Sequence, residues 1–184
     1  MRLPLASELL IAPPSLEGTT FESAVILLTH HDDEGSFGLA LNRTTSYTLE
    51  DLSSEVGIDN LPPLPLYWGG PVSPGTIWML HSSDWSMDST VEINDQWSMT
   101  SDRDMFGPLA LGDYPEQFRL FAGYCAWAPG QLAAEVQGQG RRDPRDSWLI
   151  ASNPGPEALF DQPIDGLWEM ATELSSQEAV DSWL

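Results

Sequence analysis

Apolar residues fall along this chain in short runs separated by turn-forming and acidic stretches, and the length of each run predicts its element. Residues 24–28 (Ala-Val-Ile-Leu-Leu) are continuously apolar, the pattern of a strand covered on both faces. Turn chemistry follows at 32–35, and residues 37–42 resume the apolar character, so the pair predicts a hairpin near the centre of a sheet. Residues 8–12 form a short entry strand closed by Pro13-Pro14. Further strands are expected at 66–68, 76–80, 91–93, 97–100, 118–125 and 147–151. Thr48 with Asp51, ahead of Leu52 and Val56, marks a short helix start. Residues 102–111 are helical at their start, with Pro108 limiting the length, and 131–137, 155–160 and 164–174 are the remaining helices. Strands come in groups with helices set irregularly between them, which argues for an α+β fold over an alternating βαβ sheet.

Neither a repeat nor a linker divides the 184 residues, so a single domain spanning 1–184 is expected. The run 24–28 is far too short to span a bilayer, and the N-terminus lacks the pattern of a secretory signal. One cysteine cannot close an internal disulfide, which fits a reducing, cytoplasmic setting. The charge changes the picture more. Asp and Glu number 28, the seven basic residues are all arginine, and the net charge is −21. Such a chain repels phosphate backbones; Arg141, Arg142 and Arg145 form its only basic cluster, so nucleic-acid binding is disfavoured.

Three segments carry a family resemblance. They are His31 through Asn42-Arg43 with Gly35 and Gly38 between, Trp68-Gly69-Gly70-Pro71-Val72, and Gly123-Tyr124 with Trp127, Gly130-Gln131-Leu132 and Glu135. With the opening Leu10 to Leu16 element, Leu80-His81, Trp148-Leu149 and Phe160, this order resembles the AlgH/YqgE family of bacterial proteins over about residues 7–168. Thr44 departs from it, since the family follows Asn42 with a basic residue and then proline. The resemblance implies one compact α+β domain whose mixed or antiparallel sheet curls into a barrel-like shape with a few short helices. It implies no settled biochemical activity, only an association with transcriptional control of alginate production in some bacteria.

Candidate chemistry is sparse. Pro129 at a helix start leaves free N–H groups at Gly130 and Gln131 that could bind an anion, but the Lys-Ser/Thr pair of a phosphate loop is missing, and a tight strand-to-helix corner under Trp127 explains the pattern as well. Gly69-Gly70-Pro71 reads either as amides lining a ligand site or as a sharp chain reversal. His30, His31 and His81 with Asp32 and Asp33 invite a metal, yet neighbouring strand residues point to opposite faces, so no metal and no cofactor is expected and His31 serves the hairpin. Cys125 ends an apolar strand without a basic neighbour and is expected to be inert core; no G-x-S-x-G elbow is present. Trp68, Trp78, Trp97, Trp127, Trp148 and Trp168 are assigned to the core, and Trp85 and Trp183 to a loop and a tail where they could anchor a partner. The composite expectation is a non-catalytic binding or regulatory protein, taking a protein partner or a small ligand, with a pocket shaped by His31, Asn42, Gly69, Gly70, Tyr124, Trp127, Gly130 and Gln131. The alternative is an enzyme whose pocket gathers His31, Asn42, Tyr124 and Gln131 from separate strand ends.

Overall fold

One long strand, bent in its middle, organises the chain. The computed structural model describes residues 2–139 and 147–182. Among these, ten strands form one sheet: β1 (Leu9–Ile11), β2 (Val25–Asp32), β3 (Gly35–Ala40), β4 (Thr44–Thr48), β5 (Pro65–Trp68), β6 (Val72–Ser82), β7 (Val91–Glu92), β8 (Trp97–Thr100), β9 (Phe118–Trp127) and β10 (Leu149–Ala151). The order is β10-β1-β2-β3-β9-β6-β8-β7, and β5 joins β4 to β9 beside that path. The C-terminal half of β9 pairs with β3, whereas Leu120 to Ala122 pair with β5 on the same edge and with β6 on the other. β9 therefore belongs to two sheet halves, and Gly123 (φ 73°) supplies the bend between them. The result is a single compact α+β domain built on a curled, mainly antiparallel sheet, a half-barrel.

Alternation along the strands fills three cores. Ala151, Leu9, Leu27 and Leu39 stand in one row across β10-β1-β2-β3, and Ile150, Leu10, Ile26 and Ala40 in the row facing the other way. The first row lines the concave side with Trp97, Met99 and Phe121 from the second half. Helices α4 (Pro156–Phe160) and α5 (Leu167–Asp181) plug that side through Leu159, Leu167 and Ala171. The second row is covered by α3 (Gln131–Val136) through Leu132 and Val136. On the far side of the second half, Leu66, Ile77, Met79 and Leu120 pack against Leu49, Leu61 and Phe106, from the region of α1 (Ser53–Val56) and α2 (Phe106–Ala110). This explains the unbroken run in β2, where Val25 to Leu28 are all fully buried because both faces are roofed.

Local deviations from the sequence expectations have local causes. β4 has no counterpart in the expected elements; it pairs with β5 only at Thr44↔Tyr67 and Thr48↔Pro65, with an irregular stretch between. Pro108 lies in the first turn of α2, where no intrahelical bond is lost, and the chain turns instead at Gly112 (φ 79°). α5 runs on to Asp181, beyond its apolar pattern, because Ser175 Oγ donates to the Ile150 carbonyl (2.9 Å) and the Glu178 carboxylate accepts from Ser152 N (3.1 Å). Trp85, placed in a loop where it could anchor a partner, is half-buried: its ring meets His81 edge-on at 5.4 Å and its Nε1 donates to Asp113 (3.1 Å). Trp183 and the Arg141, Arg142 and Arg145 cluster lie outside the described residues. Among the described residues, no helix is long and apolar enough to cross a membrane.

Candidate functional site

Gly69 and Gly70 are buried at a chain crossing. β5 and β6 lie on opposite edges of β9, so the link between them must pass over β9 within three residues, and it does so at Gly123-Tyr124. Backbone rests on backbone. A Cβ on Gly69 would overlap the Gly123 carbonyl oxygen, one on Gly70 the Tyr124 carbonyl group, and one on Gly123 the Gly70 carbonyl oxygen. The Gly69 peptide groups are spoken for: Gly69 N donates to Ala122 O (2.9 Å), and Gly69 O accepts from Ala40 N (2.8 Å). The Cys125 thiol also points at Gly69 O (3.4 Å), and burial pushes that thiol up to about 12, far from a nucleophile. Tyr124 beside the crossing stacks on Phe37 with ring centroids 4.1 Å apart.

The corner after β9 is a hydrogen-bonded turn. Gln131 N donates to Ala128 O (2.9 Å), with Pro129 and Gly130 (φ 74°, ψ −10°) at its centre, the arrangement of a type II turn. Pro129 thus sits in the turn before α3, with Gly130 as the N-cap. Gln131 Oε1 accepts from Ala128 N (3.0 Å), and Gln131 Nε2 donates to Glu135 Oε1 (3.0 Å). The other oxygen of that carboxylate accepts from the indoles of Trp127 (3.2 Å) and Trp148 (2.9 Å). Trp127, Gln131 and Glu135, three residues of the family signature, are therefore joined in one clamp that fixes the strand, the corner and the helix.

The histidines do not converge. His31 Nδ1 bonds Ser36 Oγ across the hairpin (2.6 Å), while His30 pairs with exposed Asp32 (2.8 Å). The Glu34 N–H, with His30, holds the Asp32 carboxyl below its usual range. Among the described residues, no group of three or more His, Cys, Asp or Glu could hold a metal ion. Asn42 is separate again, its amide bridging Val25 N (2.9 Å) and Ser23 O (2.7 Å).

His81 is fully buried. Its Nδ1–H donates to Ser82 O (2.8 Å), so Nε2 is left to accept from the Thr100 hydroxyl (3.0 Å). Thr100 accepts in turn from Thr90 (2.8 Å), and Thr90 from Met87 N (2.9 Å). Burial pushes the imidazole below its ordinary value, a shift partly opposed by the Ser82 carbonyl and Asp84. The unfolded chain thus binds the proton first as pH falls, and stability drops below the ordinary histidine pKa of about 6.5 by at most about 1.4 kcal/mol per pH unit. Urea unfolding at stepped pH should show this drop in the parent protein and a shallower one in His81→Gln, because His30 and His31 are common to both. Parallel curves would remove His81 as the cause.

A hollow of different character lies on the outer face of β5, β9 and β6. Between Val72↔Tyr124 and Ile77↔Ala122, β6 carries extra residues, so Ser73 to Thr76 lift away from β9 and leave small Ala122 uncovered. The cavity is about 510 Å³. Leu66, Ile77 and Ala122 form its floor, Leu52, Val56 and Phe106 its walls, and β4 with Thr45 and Tyr47 one rim. Glu55 and Arg103 face each other at its mouth, 3.7 Å apart. None of the eight residues singled out in the sequence lines it. Of those eight, Asn42 lines an open depression with Arg43 and Asp165.

A model of the AlgH-like family matches residues 9–179 of this chain. The chain belongs to the AlgH-like family. A UPF0301 protein of Xanthomonas campestris pv. campestris is 34% identical over 172 residues, covering 91% of this chain and 87% of that protein. The UPF0301 protein of Gluconobacter oxydans is 37% identical over 156 residues, covering 82% and 80%. The solution structure of the AlgH protein from Pseudomonas aeruginosa superposes with a TM-score of 0.76 at 29% identity, covering 95% of this chain and 92% of that one. A crystal structure from Corynebacterium diphtheriae (TM-score 0.69, 23% identity, covering 90% and 87%) shares the fold.

In this AlgH-like chain the cavity escapes a sequence reading because its lining comes from separate segments. One signal was available: the β-branched and aromatic stretch Thr44-Thr45-Ser46-Tyr47-Thr48 has strand character, and recognising β4 would have put Tyr47 opposite β5.

Proposed function

We propose that this AlgH-like chain is a non-catalytic binding protein that holds a small, largely apolar ligand in the cavity over Ala122, and that occupancy is read by a protein partner at the mouth, in a reducing cytoplasm. The cavity carries the reading. Its 510 Å³ falls inside the roughly 300–1,000 Å³ of small-molecule sites, and Leu52, Val56, Leu66, Ile77, Phe106 and Ala122 give it an apolar lining with a few polar groups beside them. The glycine crossing and the Glu135 clamp serve this site as scaffold, since the crossing fixes Ala122 through the Gly69 amide. A neutral apolar fluorophore, N-phenyl-1-naphthylamine, tests it. The parent protein is expected to bind the dye with enhanced emission. Ala122→Leu, which fills the floor, should weaken binding at least about tenfold, or 1.4 kcal/mol. Gly75→Phe fills the hollow from the rim, where a new Cβ meets nothing within 4 Å, and should act alike without loss of melting temperature. Dye binding unaffected by both substitutions, or none at all, would sink the reading.

A further inference from the structure

We propose that the cavity over Ala122 selects amphiphiles with a positively charged head, such as primary alkylammonium ions, the head lying between the Glu55 carboxylate and the Tyr47 ring and the chain over Ala122. This rests on the cavity being a ligand site. The segments that form the mouth carry Glu50, Asp51, Glu55, Asp102 and Asp104, all exposed, against the single guanidinium of Arg103. An anionic head placed at Arg103 meets that surplus, and the chain's net charge of −21 works in the same direction.

The Glu55–Arg103 pair does not hold the mouth shut. Its atoms are 3.7 Å apart and its side chains 66% and 68% exposed, a loose contact that a ligand can replace. Glu55 then exchanges one cation for another. Tyr47, 63% exposed and lining the same cavity, offers a ring face that attracts a cation and does nothing for a carboxylate.

Octylammonium, octanol and octanoate share a chain length and differ in head charge, so their displacement of N-phenyl-1-naphthylamine at low salt isolates the head. Octylammonium is expected to displace best and octanoate worst, with the difference shrinking at about 0.5 M NaCl. Glu55→Gln should cost octylammonium about threefold in affinity and leave octanol unchanged, whereas Arg103→Gln should improve octylammonium. Octanoate equal to octylammonium, or no response to Glu55→Gln, would overturn the charge selection while leaving the apolar site intact. Octylammonium binding that survives Ala122→Leu would show adsorption to the acidic surface and overturn it too. Failure of the parent protein to bind the dye removes the cavity reading and this proposal together.

Discussion

Gly123→Ala is expected to destabilise the protein by about 3–5 kcal/mol, combining left-handed backbone strain with overpacking against a rigid neighbour. Gly123 holds φ 73°, and a Cβ there would overlap the Gly70 carbonyl oxygen and lie 2.9 Å from that of Val72. Neither oxygen can retreat easily, because Gly70 lies in the link that spans β9 between two paired strands and Val72 is itself paired with Tyr124 in β6. Gly130→Ala is the matched control. Its φ is 74°, yet nothing lies within 4 Å of the added Cβ, so only the strain of about 1–2 kcal/mol applies. Urea unfolding of both variants separates collision from conformation. Against a typical domain stability of about 5–15 kcal/mol, the first change threatens soluble expression and the second does not. Equal losses would mean that the crossing yields, and that Gly69, Gly70 and Gly123 answer only to backbone angles.

That crossing marks a boundary of what the sequence makes legible. The two-sided burial of β2 is readable in Val25 to Leu28, since every residue is apolar and no alternation survives. The β2–β3 hairpin is readable in Asp32 to Gly35. Gly69-Gly70-Pro71 is readable as an abrupt feature, but its cause lies 54 residues away at Gly123, and no local pattern names the strand that the chain must cross. The cavity is less legible still. Ser73-Pro74-Gly75 looks like a loop and belongs to β6, and the hollow exists because two strands of unequal local length run side by side. Composition cannot show a mismatch of register. The candidate residues drawn from glycine and aromatic corners thus include members of the chain crossing and of the Glu135 clamp, while the apolar part of the hollow's lining is ordinary Leu52, Val56, Leu66, Ile77 and Phe106, which no local pattern sets apart.

Glu135→Ala is expected to remove about 3 kcal/mol and lower the melting temperature by roughly 6–12 °C, because it strips the acceptor from two indole N–H groups and the Gln131 amide at once. α3 spans only six residues, too few to persist without tertiary support. Leu132 and Val136 bury its apolar side, and the carboxylate ties its polar side to β9 and to Trp148, ahead of β10. Glu135→Gln should fall between parent and alanine. One amide oxygen can still accept from the indoles, but the NH2 group then faces the Gln131 amide, donor against donor. The indole N–H resonances of Trp127 and Trp148 provide the local readout: both should move on loss of the shared acceptor, while that of Trp168, which donates to Ala12 O (2.9 Å), should stay. A Glu135→Ala protein as stable as its parent would show that packing of Leu132 and Val136 alone holds the corner. A loss confined to Glu135→Ala, with Glu135→Gln near the parent, would assign the stabilisation to the indole bonds rather than to Gln131.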